Sequence, residues 1–413
     1  MVEHFVTGYR DAEQTLRLPD LHQALYDADT VFLPRSVVCL HGDEHAHKKR
    51  IFAGVFNRRF FKHYQNHVFP RAIRESVDPV LVEGGGDMAQ FAYRVLINLT
   101  ADSAGIDRQH TEEDTDRLLA ILGKLGHAPT MGQLRDPSAR DQLLAELEEA
   151  LDGFREEFFE PSLARRRALV AQVEAGEIAK ADLPQDAIVA QLLASPTNDD
   201  IPYDERMKDS AFFILAGAFT TANVLMNFVN NLLEWFEDHP EDRANLLNDP
   251  IMMQRFIWEN TRLHPASPTT KRRALCPIHL PDGHDAAQDE YVTMDLSKIN
   301  RDAELFGANP EAFDPHRDLA SNMPLYGLSF GGGAHVCLGK LLAVGVKMTE
   351  DNKDAEETEV GTIALVAREL LRLGIARDPN NSAEIDESTD RRHFASLPFV
   401  FDPAFAINTP KGA

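Results

Sequence analysis

Cysteine is scarce in this chain: three in 413 residues, Cys39, Cys276 and Cys337. They lie far apart, are odd in number and never fall in a C-x-x-C spacing, which excludes a disulfide framework, a dithiol redox pair and a zinc site built from cysteine pairs. Basic residues are short too, with 42 Lys and Arg against 66 Asp and Glu and a formal charge of −24. So acidic a chain lacks the cationic footprint that nucleic acid or an anionic membrane surface requires. No uninterrupted apolar run reaches the roughly eighteen residues of a membrane span, and the opening MVEHFVTGYRDAEQ lacks the layout of a signal peptide. The expectation is a soluble, cytoplasmic protein. What the chain does have is 43% hydrophobic residues, enough for a sizeable core.

Length alone allows two or three domains or one large helical enzyme. The first two thirds read as helix. RDQLLAELEEALDGFREEFFEP, QDAIVAQLLA and the long stretch from Tyr203 to Pro240 place apolar residues three and four apart. The last is almost wholly apolar between Ala211 and Val229 and is expected to cross the interior. After Pro265, TTKRRALCPIHLPDG and EYVTMDLSKINRD read as short strands, and a Pro- and Gly-rich irregular passage fills Gly307 to Gly333. Helix returns from Leu338 to about Lys347 and again through TIALVARELLRLG. The acidic run Thr349 to Gly361 reads as a solvated insertion.

The stretch FGGGAHVCLGK, Phe330 to Lys340, sets three glycines before a histidine and a lone cysteine. Gly331, Gly332 and Gly333 permit positive φ and a backbone held against a flat object. Cys337 stands before a new helix, where a thiolate gains hydrogen bonds from backbone N–H groups. A planar haem with sulfur-bound iron meets all of these demands.

Phe330, Gly331, Gly333, His335, Cys337 and Gly339 match F-G-x-G-x-H-x-C-x-G, and here the chain resembles the cytochromes P450. Glu259 and Arg262 in WENTRLHP match that family's E-x-x-R. The passage Asn300 to Arg317 resembles the segment that precedes its haem loop and brings Arg317, or a neighbour of it, to the Glu and Arg pair. The resemblance runs from about Phe5 to Asp402. It implies a mainly α fold with a small β region (α+β), a single domain over residues 1–413, and haem b held by Cys337. The usual N-terminal helix and first strand are expected to be missing, since HFVTGYRDAEQTLRLPDL resembles the second strand and the helix after it.

For the haem carboxylates, the resemblance implies His45 and Lys49 in DEHAHKKR, Arg272 in KRRAL, and His335. Lys49 stands where the family usually has arginine, and Arg50 is its alternative. Arg273 replaces Arg272 if the strand slips by one residue. LAGAFTTAN resembles the family's A-G-x-[DE]-T-[TS]. Gly217 then leaves room for dioxygen, and Thr220 is the alcohol that assists its activation. Phe219 occupies the place of the usual acid. Three readings stay open: protons pass through Thr220, Thr221 and water from another carboxylate or a substrate hydroxyl; hydrogen peroxide is the oxidant; or the reaction is a desaturation or demethylation.

The implied pocket is lined by Phe212, Leu215, Ala216, Phe219, the loop LYDADTVFLPRSVV and PASPTT, which calls for an apolar substrate. The basic cluster from Lys48 to Lys62 (Lys48, Lys49, Arg50, Arg58, Arg59 and Lys62) is expected to dock a separate ferredoxin, served by its own ferredoxin reductase. The implied activity is a haem-thiolate monooxygenase. The rivals are a peroxygenase of the same fold and a non-catalytic haem-binding protein.

Overall fold

The computed structural model describes residues 2–197, 201–320, 323–353, 358–389, 391 and 393–407. Helices dominate, as the apolar spacing predicts. The longest, Tyr203–Asp238, runs through the middle of the molecule with Ala211, Ile214, Ala218, Ala222 and Leu225 fully buried. By length and hydropathy it would pass for a membrane span, but its apolar side chains pack against the helix Met88–Ala104 and the main core. The two helices approach so closely that a Cβ on Gly217 would lie 2.8 Å from Thr100 Cγ2. That contact accounts for a mid-helix glycine, which otherwise costs about 1 kcal/mol relative to alanine.

The helix Pro250–Leu263 begins where Asp249 accepts from the N–H groups of Ile251 and Met252, with Pro250 at a position whose N–H would be unused. Beyond it, the expected strands form. Thr269–Ala274 pairs antiparallel with both Tyr291–Asp295 and Leu21–Gln23, and Glu3–Phe5 adds in parallel on the far side of Tyr291–Asp295. Burial alternates along Thr269–Ala274, so Thr270, Arg272 and Ala274 point inward. Arg273 faces the other way and meets Asp289 at 3.2 Å. A second, smaller core gathers about this sheet.

Two expectations are corrected. The helix placed from Leu338 to Lys347 is only Lys340–Val344, stopped by Gly345 at φ +74°. The chain returns to helix at Gly361, φ +89°, and continues as Thr362–Arg372. A Cβ on Gly345 would lie 2.5 Å from Val360 O, and one on Gly361 2.4 Å from Gly345 N, so two glycines stand back to back where the segment leaves and re-enters. Nor is the acidic insertion wholly solvated. Thr358 and Gly361 are buried, Gln65 accepts from Val360 N at 3.1 Å, and Gln254 accepts from Met348 N at 2.7 Å. Glu350 and Asp351 are exposed, and residues 354–357 of the insertion lie outside the described residues.

Candidate functional site

The segment Phe330 to Gly339 is a succession of turns. Gly331 and Gly333 take φ of +68° and +60°, and a Cβ on Gly333 would lie 2.3 Å from Leu16 O. Cys337 N donates to Phe330 O at 3.0 Å and closes the loop. Burial pushes the Cys337 thiol up, against the opposing pull of the Gly339 and Lys340 N–H groups and the Lys340 and Lys49 cations. By surface area Cys337 is exposed, yet protein encloses it on nearly every side. A sulfur both accessible and closely surrounded by protein lies on the wall of a recess. A soft thiolate donor on such a wall suits iron.

Glu259 and Arg262 hold this loop from behind. Arg262 Nε and Nη2 donate to the two Glu259 oxygens at 2.8 and 2.6 Å, with both residues fully buried. A buried pair left to itself loses more in desolvation than it gains, so the remaining donors and acceptors must be matched. They are: Arg262 Nη1 donates to Asn300 O at 2.8 Å and Pro310 O at 2.7 Å. Glu259 Oε1 accepts from Asp314 N at 3.0 Å and from Arg317 Nη2 at 3.4 Å. Asn300 carries the connection onward, accepting from Leu328 N at 2.8 Å and donating to Ser329 Oγ at 2.9 Å, while Ser329 donates to Thr261 O at 2.7 Å. Asn300 and Ser329 escaped the sequence reading. Their one signal is Gly327, where a Cβ would lie 2.3 Å from Asn300 Oδ1.

The four proposed carboxylate partners converge. His45, on the helix Gly42–Ala53, has its ring 4.1 Å from that of His335. Lys49 Nζ donates to Ala334 O and, at 3.1 Å, to Val336 O, whereas Arg50 is exposed and donates to Ala46 O at 3.2 Å. Arg272 is 5% exposed, and its Nη1 donates to Gln23 Oε1 at 2.7 Å, Thr270 Oγ1 at 2.6 Å and Lys271 O at 3.1 Å. Every one of these acceptors is neutral. Burial pushes Arg272 down to about 10. His335 falls to about 3, through burial first and then the repulsion of His45, Arg272, Lys49 and His41. Among the described residues no carboxylate acts on any of the four. A buried set of bases with no acid lacks an anion to complete it, and the two carboxylates of haem fit that need.

On the long helix, Thr220 is exposed although its neighbours Ala218, Thr221 and Ala222 are buried, and its hydroxyl donates to Ala216 O at 2.6 Å. Of the proposed pocket residues, Phe212 and Ala216 are half-buried, the former with its ring 6.5 Å from that of Phe32. Leu215 is buried in the main core. The Phe219 ring lies 4.9 Å from that of Tyr93 and presses on Gly126, where a Cβ would meet Phe219 Cε1 at 2.6 Å. The loop bearing Phe32 is pinned by Asp29, whose carboxylate accepts from Val31 N at 2.9 Å and Leu33 N at 2.6 Å.

The basic face is smaller than expected. Lys48 does not belong to it: its Nζ is buried, 2.5 Å from Glu205 and 2.9 Å from Asp209, and donates to Arg35 O at 2.6 Å. Lys49 is turned onto the cysteine loop. Arg50, Arg58, Arg59 and Lys62 remain exposed, Arg59 with one donor on Leu183 O at 2.9 Å.

The family description "Cytochrome P450" matches residues 230–345. The chain is 25% identical over 352 residues to the biotin biosynthesis cytochrome P450 of Bacillus subtilis (strain 168), spanning 82% of this chain and 79% of that protein. It is 33% identical over 181 residues to the mycinamicin VIII C21 methyl hydroxylase of Micromonospora griseorubida, 44% of this chain and 41% of that one. The solved structure of P450BioI in complex with hexadec-9Z-enoic acid ligated acyl carrier protein has a TM-score of 0.70 at 20% identity, over 96% of this chain and 92% of that chain, a likeness of fold.

Proposed function

Since the chain belongs to the cytochrome P450 family and is a haem-dependent monooxygenase of organic substrates, we propose that it oxidises an apolar molecule with Cys337 as its iron ligand and electrons from a separate ferredoxin system. The observation that carries the site assignment is the enclosed Cys337 beside an acid-free set of bases.

Bound haem supplies oxygen activation and one-electron chemistry. The chain's own residues do the rest. Cys337 provides the sulfur. Arg272 brings a fixed charge; His45, lowered by burial and then by Lys49 and His41, and His335, lowered by burial and then by His45 and the nearby cations, bring ring N–H donors. Lys49 ties the helix of His45 to the cysteine loop. Glu259, Arg262 and Asn300 keep that loop in register with the helix behind it. Thr220 holds a proton at Oγ1, donated to Ala216 O until another acceptor takes it. Gly217 lies against Thr100 Cγ2, where a Cβ would be only 2.8 Å away, and leaves room for dioxygen on the same helix.

The aromatic and aliphatic surface at Phe212, Ala216 and the Phe32 loop supports an apolar substrate. Arg50, Arg58, Arg59 and Lys62, exposed on a chain of net charge −24, support an acidic electron donor. The test is the absorption spectrum of the reduced protein under carbon monoxide, followed by turnover with a ferredoxin and its reductase. A long-wavelength Soret band with donor-dependent product formation is the expected outcome. A band typical of histidine or thiol ligation would remove Cys337 from the iron, and turnover with hydrogen peroxide alone would remove the ferredoxin.

A further inference from the structure

Between Asp209 and Glu234 the long helix carries no ionisable side chain. Phe219 is turned onto Tyr93 and Gly126, so nothing at that position donates a proton. The Thr220 hydroxyl already donates to Ala216 O at 2.6 Å, which leaves its lone pairs to accept. A threonine in that state passes a proton on only if another arrives.

One turn later stands Asn223, whose Oδ1 is buried and accepts no hydrogen bond from the protein. Turning the amide over would only exchange the orphan acceptor for an orphan donor. Asn227 and Asn231 follow at four-residue intervals and share its face. Asn227 Nδ2 donates to Asn223 O at 2.8 Å, and Asn231 Nδ2 to Asn260 Oδ1 at 2.9 Å. Their own Oδ1 atoms receive no protein donor among the described residues. Three amides thus recur on one face of the helix, four residues and about 6 Å of rise apart. One bent water spans less than that, whereas two waters in sequence, with O–H···O bonds of about 2.7–2.8 Å, link neighbouring amides. A buried polar atom left without a partner costs about 1–3 kcal/mol, and water is the usual remedy. Amides do not titrate at neutral pH, so they hold water in an apolar interior without introducing a buried charge. The far end of the row reaches solvent at Glu234, whose side chain is 71% exposed.

We propose that Asn223, Asn227 and Asn231 are positioning residues that hold a file of water from the Glu234 end of the helix to Thr220, and that this file delivers the protons for oxygen reduction. The overall change balances as RH + O2 + two electrons + two protons giving ROH + H2O, with the electrons from the one-electron donor protein and the protons from the file. The proposal rests on the reading of Thr220 as the group that hands protons to oxygen.

The test compares Asn223→Leu, Asn227→Leu, Asn223→Ser and Thr220→Ala as holoproteins with the parent. It reads product formed per electron pair, the solvent isotope effect on turnover, and the stretching band of carbon monoxide in the reduced complex. For both leucine variants coupling is expected to fall by roughly tenfold or more, toward the 10²-fold or greater contribution of positioned proton transfer. The isotope effect should rise and, for Asn223→Leu, the carbon monoxide band should shift. Asn223→Ser keeps an acceptor for water and should hold its coupling near the parent's. If Thr220→Ala uncouples while Asn223→Leu and Asn227→Leu match the parent, the row is structural and the proposal falls. It falls equally if Asn223→Ser is as impaired as the leucine variant, a comparison that survives should Asn223→Leu not fold. Unchanged coupling in Thr220→Ala would instead overturn the reading of Thr220, and the water file with it.

Discussion

Lys48 reaches from the helix that carries His45 to the first turns of the long helix, where its Nζ lies 2.5 Å from Glu205 and 2.9 Å from Asp209, all three side chains nearly closed to solvent. Burial dominates the titration of Asp209 and pushes it up to about 7 even with the lysine beside it. Lys48 itself has Glu205 closer at hand, which is why the cation remains satisfied when Asp209 takes a proton.

A group whose folded pKa is raised favours folding below its unfolded pKa and loses that contribution as pH rises through the folded value. For Asp209 that contribution is lost progressively from about 4 to about 7 and is gone above the upper value. Asp209→Asn is therefore expected to flatten the decline in thermal midpoint between about pH 4 and about pH 7. Lys48→Met should be much worse, by about 3–5 kcal/mol, because it leaves two acids buried without their cation. Thermal melts of the two variants across that pH range decide it, and a Lys48→Met midpoint equal to the parent's would contradict the clamp.

Among the described residues no carboxylate pairs with Arg272. Replacing it with leucine should leave the haem-free protein at least as stable as the parent while weakening haem retention. A hydrogen bond to a charged group contributes about 1.5–3 kcal/mol, so haem should transfer to an acceptor protein roughly tenfold or more faster. Equal transfer rates would mean that Arg272 serves the sheet alone.

Cys337→Ser should keep the fold, since the loop is closed by backbone contacts from Phe330 and Gly331 rather than by the sulfur. Haem spectra should lose the thiolate signature, and hydroxylation should disappear. A retained long-wavelength band under carbon monoxide would point to another ligand.

Glu259→Gln removes the charge that Arg262 and Arg317 share. The loss should fall near 3–5 kcal/mol, since it strands buried guanidinium groups. Expression of soluble holoprotein and the denaturation midpoint report it, and a variant with parental stability would show that the carbonyls of Asn300, Pro310 and Ala312 suffice.

Much of this was legible because it is local. The run Phe330 to Gly339 announces its chemistry in ten residues, and the apolar spacing from Ala211 to Val229 announces a core helix. Where legibility failed, the missing information lay far along the chain or one residue aside. Lys48 reads as one more charge in a basic run, and only the distant Glu205 and Asp209 reveal it as an interior clamp. Arg272 and Arg273 are adjacent and chemically alike, and the pairing of Gln23 with Arg272 and of His22 with Arg273 decides which faces in. Nothing in a linear reading marks Asn300, because its partners are a backbone N–H at Leu328 and a hydroxyl at Ser329. Helix length between Leu338 and Lys347 was overestimated because the residues have good intrinsic preference, while Gly345, a single position, sets the limit.

The back-to-back glycines at 345 and 361 give the excursion between them a separate standing. Helix resumes almost where it stopped, so the intervening chain behaves as a graft on an otherwise continuous rod rather than as a hinge within it. A graft with adjoining feet can be lengthened, shortened or exchanged for a reporter peptide with little force transmitted to the rod. Because the nearer foot stands only eight residues beyond Cys337, such a reporter would be joined to the cysteine loop through a single short helix, Lys340–Val344.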